Sequence, residues 1–289
     1  MGKARQKHYI VFVNRQRASL RTGYETSTLS MRNMTGSGGK ETSGFRVGVH
    51  TGRTNYYPIM TFNSFIHNLK RFSSVAWIKS FIVAVYYLGV WRALQFPILF
   101  GHRVKVGTLG DRGALSVPKQ FAALCFGLKG DPFNIGYRNS YWGVETGAKV
   151  TVKGTCRIAK GSVIHVFKNG RLEFGNNFSS NGNFTLSCAD NICFGSNCML
   201  GWDITIMDSD GGHAIIQLSD NSEVNKSSSI VIGNHVWIGA SASILKGSQI
   251  GDGCIIGFKS NVCGLNCPAY SIIAGNPASI IKSGYSWLA

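Results

Sequence analysis

The sequence predicts a mainly β protein, wound as a three-sided solenoid of short strands. Every sixth residue from Ile232 is a branched aliphatic: Ile232, Ile238, Ile244, Ile250, Ile256 and Val262. Glycine follows at Gly233, Gly239, Gly251 and Gly257, and small residues sit four places on, at Ala242, Ser248, Cys254 and Ser260. Thirty-six glycines against six prolines suit a chain with many tight corners, which need permissive backbone. A helix would space apolar residues three and four apart, and an amphipathic strand would alternate them. A step of six suits flat strands that turn a corner after each inward aliphatic, with about 18 residues per three-sided coil. The competing reading is a chance run in a β-rich protein.

The run IGNHVWIGASASILKGSQIGDGCIIG, followed by IIAGNPASIIK, resembles the hexapeptide-repeat acyltransferases, and among them the O-acetyltransferases that act on sugars and surface polysaccharides. The resemblance is close over residues 230–282, looser over 140–229, faint over 60–139 and absent before that. It implies a left-handed parallel β-helix, a homotrimer and acetyl-CoA as acyl donor. The handedness comes from the resemblance, since a general rule favours right-handed crossovers.

Taken in order, residues 1–59 read as a basic tail without a periodic apolar face, of the composition that stays disordered. The alternative reading is that translation starts at Met60. The apolar run Tyr9-Ile10-Val11-Phe12-Val13 is too short for a signal peptide core, and no small-residue cleavage site follows it. Residues 60–100 read as an amphipathic to apolar helical segment that Pro97 should terminate. Its uncharged stretch, Ser80 to Trp91, is shorter than the roughly 20 residues of a spanning helix. It fits either a cap on the solenoid or an in-plane helix holding residues 65–96 to a membrane surface. Residues 104–151 read as irregular strands leading into the coil, and residues 101–282 as the β-helix domain. Weak sixes appear at Ile158, Ile164, Phe174, Phe194, Leu200 and Ile206, and GNNFSSNGNF has the composition of left-handed corners. Residues 283–289 read as a tail.

The net charge is +17, of which residues 1–60 supply +8. No compact basic motif with interleaved aromatics accompanies it, so nucleic acid is not the expected partner. An anionic membrane face, a phosphorylated glycan or coenzyme A accounts for the excess. The eight cysteines lack a C-x-x-C pair, so neither a zinc site nor a disulfide scaffold is expected. They read as small buried side chains of a cytoplasmic protein, soluble or at the inner face of a membrane.

Ile206 and the next clear anchor, Ile232, lie 26 residues apart, about 20 more than one step, which predicts an excursion loop over residues 207–229. It holds Asp208-Ser209-Asp210-Gly211-Gly212-His213, the one histidine of the chain beside two carboxylates. O-acyl transfer needs a base for the attacking hydroxyl, and neutral imidazole suits that near pH 7. The resemblance assigns the base to His213, with Asp208 or Asp210 as its partner. It places the oxyanion donor at the Ala240 backbone N–H and coenzyme A contacts at Trp237, Gly239, Ala240, Phe258 and Lys282. Phe258 and Gly264 depart from the family pattern, which has a small residue and commonly a lysine there. The plain alternatives are a solvated loop histidine or an Asp/Asp/His cation site, a corner-packing Trp237 and a surface Lys282. Three functional readings compete: an O-acetyltransferase of a glycan or its precursor, an N-acetyltransferase of an amino sugar, and a non-catalytic solenoid that binds or caps. A zinc enzyme on the same prism would need an H-x4-H pair, which the sequence lacks.

Overall fold

The computed structural model describes residues 73–128 and 138–288. The expected tail, residues 60–72 of the helical segment, and His8, His50 and His67 lie outside the described residues. Three sheets of nine, seven and seven strands form the three faces of a β-helix, and successive turns pair in parallel. On the first face the inward residues stack in register as Phe100, Phe126, Ile158, Ser180, Leu200, Ile238, Ile256 and Ile273. The second face stacks Trp142, Ile164, Leu186, Ile206, Ile244 and Val262. The third stacks Val152, Phe174, Phe194, Ile232, Ile250 and Cys267. All the sixth-residue aliphatics of the repeat are buried in one continuous core.

The step between faces explains why the sixes fade upstream. From Val152 onward the chain takes six residues from the third face to the first and six from the first to the second. From Val152 onward every interruption falls at the one corner between the second and third faces. There the chain takes ten residues from Trp142 to Val152 and ten from Ile164 to Phe174. It takes eight from Leu186 to Phe194, twenty-six from Ile206 to Ile232, and six from Ile244 to Ile250. Residues 104–128 and 138–151 are therefore turns of the coil rather than a lead-in: Val104–Val106 pairs with Ser140–Val144, and Leu115–Ser116 with Lys149–Val152. The coil begins at Ile98–Phe100, inside the stretch read as helical.

The other two corners are tight. Each bends at a residue with positive φ three places after the inward one: Asn177, Asn197 and His235 at one corner, Asn183, Asp203, Ser241 and Lys259 at the other. Asparagine tolerates that backbone better than most residues, and it also ties neighbouring turns. Asn177 Nδ2 donates to Asn197 Oδ1 (3.0 Å), and Asn183 Nδ2 to Asp203 Oδ1 (3.0 Å). The glycine after each aliphatic has a steric cause. A Cβ on Gly239 would lie 2.8 Å from Ile256 O and 2.9 Å from Phe258 N in the next turn.

Two helices, α1 (Trp77–Leu88) and α2 (Val90–Ala93), close the N-terminal end and stop before Pro97. The inner side of α1 buries Val83, Ala84 and Tyr87 in the core, and Ser80 Oγ accepts from Phe100 N (2.8 Å). An end cap of this kind hides the apolar mouth of a solenoid. Six cysteines are buried, Cys193 is half-buried and Cys263 is exposed; none is in a disulfide. Past Gly275 the chain folds back, and Ala278–Ser283 pairs antiparallel with Ser271–Gly275.

Candidate active site

The longest enlarged corner, residues 208–229, is the expected excursion. Its base is clamped by two carboxylates. Asp208 is buried and accepts from the amides of Ala189 (2.7 Å, Oδ1) and Asp190 (2.8 Å, Oδ2), in the corner one turn before. Its own carbonyl accepts from Ser228 N (2.9 Å), which closes the loop at its root. Burial raises the Asp208 carboxyl above the usual range, although the two amide bonds act in the opposite sense. Asp210 is exposed and pairs with Lys246 of the following turn (2.7 Å). The bonds from Lys246 and from Asn225 (3.0 Å) hold its carboxyl below the usual range.

Beyond this clamp the chain turns outward through Gly211 (φ 83°) and Gly212 (φ 99°). A Cβ on either would meet nothing within 4 Å, so here glycine serves backbone conformation and not close approach. His213 follows, with an exposed ring. Its carbonyl accepts from Asn225 Nδ2 (2.8 Å), and the same amide donates to Asp210, so carboxylate and histidine are tied through Asn225 and the main chain. Among the described residues no carboxylate contacts the imidazole of His213. Asp208, in particular, is fully engaged by backbone amides. The tip is a short hairpin: Val224 N donates to Ile215 O and Gln217 N to Ser222 O (2.8 Å each). It carries apolar side chains into solvent, Leu218 being 89% exposed.

The second group of expected residues lies elsewhere on the prism. Trp237 faces outward on the first face. Gly239 and Ala240 form the corner between the first and second faces, with Phe258 at the same corner one turn on. The Ala240 N–H has no hydrogen-bond partner among the described residues, whereas its neighbours Gly239 and Ser241 donate to Ile256 O and Trp202 O (2.8 Å each). Phe258 is 62% exposed with the Lys259 ammonium over its ring. Lys282 is exposed beside the Tyr285 ring. The second face therefore separates the root of the His213 arm from the Ala240 corner on one chain.

Three elements of this region carry no six-residue signal. Lys246 and Asn225 brace the arm, and Asn225 also accepts from Ile215 N (2.6 Å) through its side chain. At the C-terminus Trp287 stacks on His235 (4.3 Å, 5°), donates from Nε1 to His235 O (2.7 Å) and packs near Trp237 (6.2 Å). The segment read as a loose tail is thus docked on the first face, and His235 is one of its anchors.

Residues 229–264 match the family described as bacterial transferase hexapeptide (six repeats). The match falls on the late turns of the coil and agrees with the resemblance read from the sequence. The chain is similar to a putative lipopolysaccharide biosynthesis O-acetyl transferase, WbbJ, of Escherichia coli K12. The identity is 30% over 126 residues, covering 41% of this chain and 64% of the relative. It is also similar to the polysialic acid O-acetyltransferase of Escherichia coli O1:K1, with 33% identity over 136 residues, 47% of this chain and 41% of the relative. The chain thus spans less than two thirds of the length of either. Among solved structures, the polySia-specific acetyltransferase NeuO aligns over 64% of this chain and 82% of its own, with 24% identity and a TM-score of 0.43.

Proposed function

We propose that the protein is an acetyl-CoA-dependent O-acetyltransferase that modifies a hydroxyl of a glycan or glycan precursor, with His213 as general base. The observation that carries this reading is the clamped, polar arm, which holds an imidazole in the open directly above a hexapeptide coil. An arm rooted by Asp208 and braced by Asp210, Lys246 and Asn225 limits the positions that the His213 ring can take. That is what a base needs in order to act on one hydroxyl. The relatives named above support the reading, one being a putative lipopolysaccharide biosynthesis O-acetyl transferase and the other a polysialic acid O-acetyltransferase.

In the reaction His213 takes the proton of the acceptor hydroxyl as its oxygen attacks the thioester carbonyl carbon. The Ala240 N–H, unclaimed among the described residues, suits the oxyanion that develops there. Collapse breaks the carbon–sulfur bond, and the imidazolium returns its proton to the departing coenzyme A thiolate. The products are an acetyl ester and free coenzyme A. Trp237, Gly239, Phe258 and Lys282 are the proposed donor contacts, and no metal is required. The arm and the Ala240 corner lie on opposite sides of the second face. We therefore assign the site to the cleft between adjacent copies of a homotrimer, where the arm of one copy meets the corner of the next. The exposed apolar tip of the arm supports this, because such side chains need a surface to cover them.

Incubation with radiolabelled acetyl-CoA and a panel of glycans tests the reading. Label transferred to a glycan and released by mild base, as an ester is, is the expected result. Base-stable label would move the acceptor to an amine. No transfer to any glycan or amino sugar, with coenzyme A unbound, would leave a binding solenoid.

A further inference from the structure

The geometry points to a second functional surface at the opposite end of the molecule: the outward side of α1 and α2 is a docking face for an anionic lipid bilayer. The inner side of α1 is accounted for by the cap. Its outer side exposes Ile78 (79%) and Ile82 (59%), one helical turn apart, followed by Val90, Trp91 (85%) and Leu94 in and beside α2. Phe121 is exposed next to them, since Ala122 N donates to Phe96 O (3.0 Å). Large apolar side chains at this exposure are common singly but not in a group.

The charges of the two helices are bound to backbone carbonyls. Lys79 Nζ donates to the carbonyls of His102 (3.1 Å) and Val104 (2.7 Å), and Arg92 donates to Val117 O (2.6 Å). The cations around the face are exposed instead: Arg103, Lys105 and Lys119. From Thr42 to Gly110 the chain has eight Lys/Arg and no Asp or Glu. An apolar, Trp-bearing face with exposed cations around it is complementary to a bilayer with anionic headgroups. A soluble protein partner would more often be met by a rim of mixed sign. Among the described residues no helix is long and apolar enough to cross a membrane. The twelve residues of α1 extend about 18 Å, so α1 lies along the surface.

The full chain is floated with vesicles of phosphatidylcholine, alone or mixed with phosphatidylglycerol, and with mixed vesicles carrying brominated acyl chains. The protein should float with the mixed vesicles only, and bromine should quench its tryptophan fluorescence. Combined Ile78→Ser, Ile82→Ser and Trp91→Ser should weaken recovery about tenfold or more and abolish most quenching, with the oligomeric state unchanged. Binding that vanishes in salt and shows no quenching in the parent chain would assign attraction to the basic tail alone and overturn the proposal. So would equal recovery of parent and variant. Dissociation of the oligomer by the substitutions would give the face to a second copy instead. Should the triple variant fail to fold, Trp91→Ser alone and quenching of the unmodified chain decide the matter.

Discussion

The late turns, residues 232–273, and the middle turns, residues 142–206, fill one prism with different side chains. In the late turns four successive sides carry a small residue and then an aliphatic: Ala242 and Ile244, Ser248 and Ile250, Cys254 and Ile256, Ser260 and Val262, all buried. In the middle turns several of these positions are large, as in Leu172 before Phe174, Phe184 before Leu186 and Ile192 before Phe194, while Ser162 and Cys198 stay small. Phe174, Phe178 and Phe194 meet there at 4.6–5.4 Å. A turn with extra corner residues is wider, and aromatic volume fills what small residues would leave empty. At Phe178 and Ser180 the order is inverted, large before small, which keeps the local volume close to constant.

Substitutions can break or sharpen that contrast. Phe194→Ala, which empties the aromatic interior, should cost about 3–5 kcal/mol, while Ile244→Val in a late turn should cost about 0.5–1.5 kcal/mol. Urea unfolding that gives equal losses would mean that the middle turns do not depend on their aromatics. Next in size is Asp208→Asn, which replaces one acceptor of the arm's clamp by a donor, at about 1–3 kcal/mol. Its dependence on pH has a definite sign. Because burial raises the folded Asp208 carboxyl, its contribution is greatest below the ordinary carboxylate range and is lost as pH rises through the folded value. The deficit of the variant should therefore be largest in acid and narrow towards neutrality; a deficit that widens with pH would contradict the assignment. The smallest effect is at Ser180, whose hydroxyl is buried without a partner among the described residues. Ser180→Ala should leave stability unchanged or improve it by up to about 1 kcal/mol. A clear loss would reveal a bond that the hydroxyl makes.

This contrast also explains how far the sequence could be read. The late turns were legible because nothing interrupts six residues per side, and the arm was legible as a miscount between Ile206 and Ile232. The middle turns were faint because their extra residues all sit at one corner and because Ser180 stands where an aliphatic is expected. Ile98–Phe100 was hidden behind Pro97 in a stretch that is apolar throughout. The two carboxylates beside His213 are a different matter. The same Asp-x-Asp spelling serves a catalytic pair or a clamp, and only coordinates show Asp208 spent on the amides of Ala189 and Asp190. Trp287 lies outside any repeat, so nothing in its spacing announced the stack on His235.

The most direct test is the turnover of acetyl-CoA by His213→Ala beside the unmodified chain, with coenzyme A binding measured on both. A fall of about 10²–10⁴-fold in turnover with binding retained is the result that the proposed roles predict, with the base on the arm and the donor on the coil. Turnover left intact by the loss of that imidazole would contradict the account.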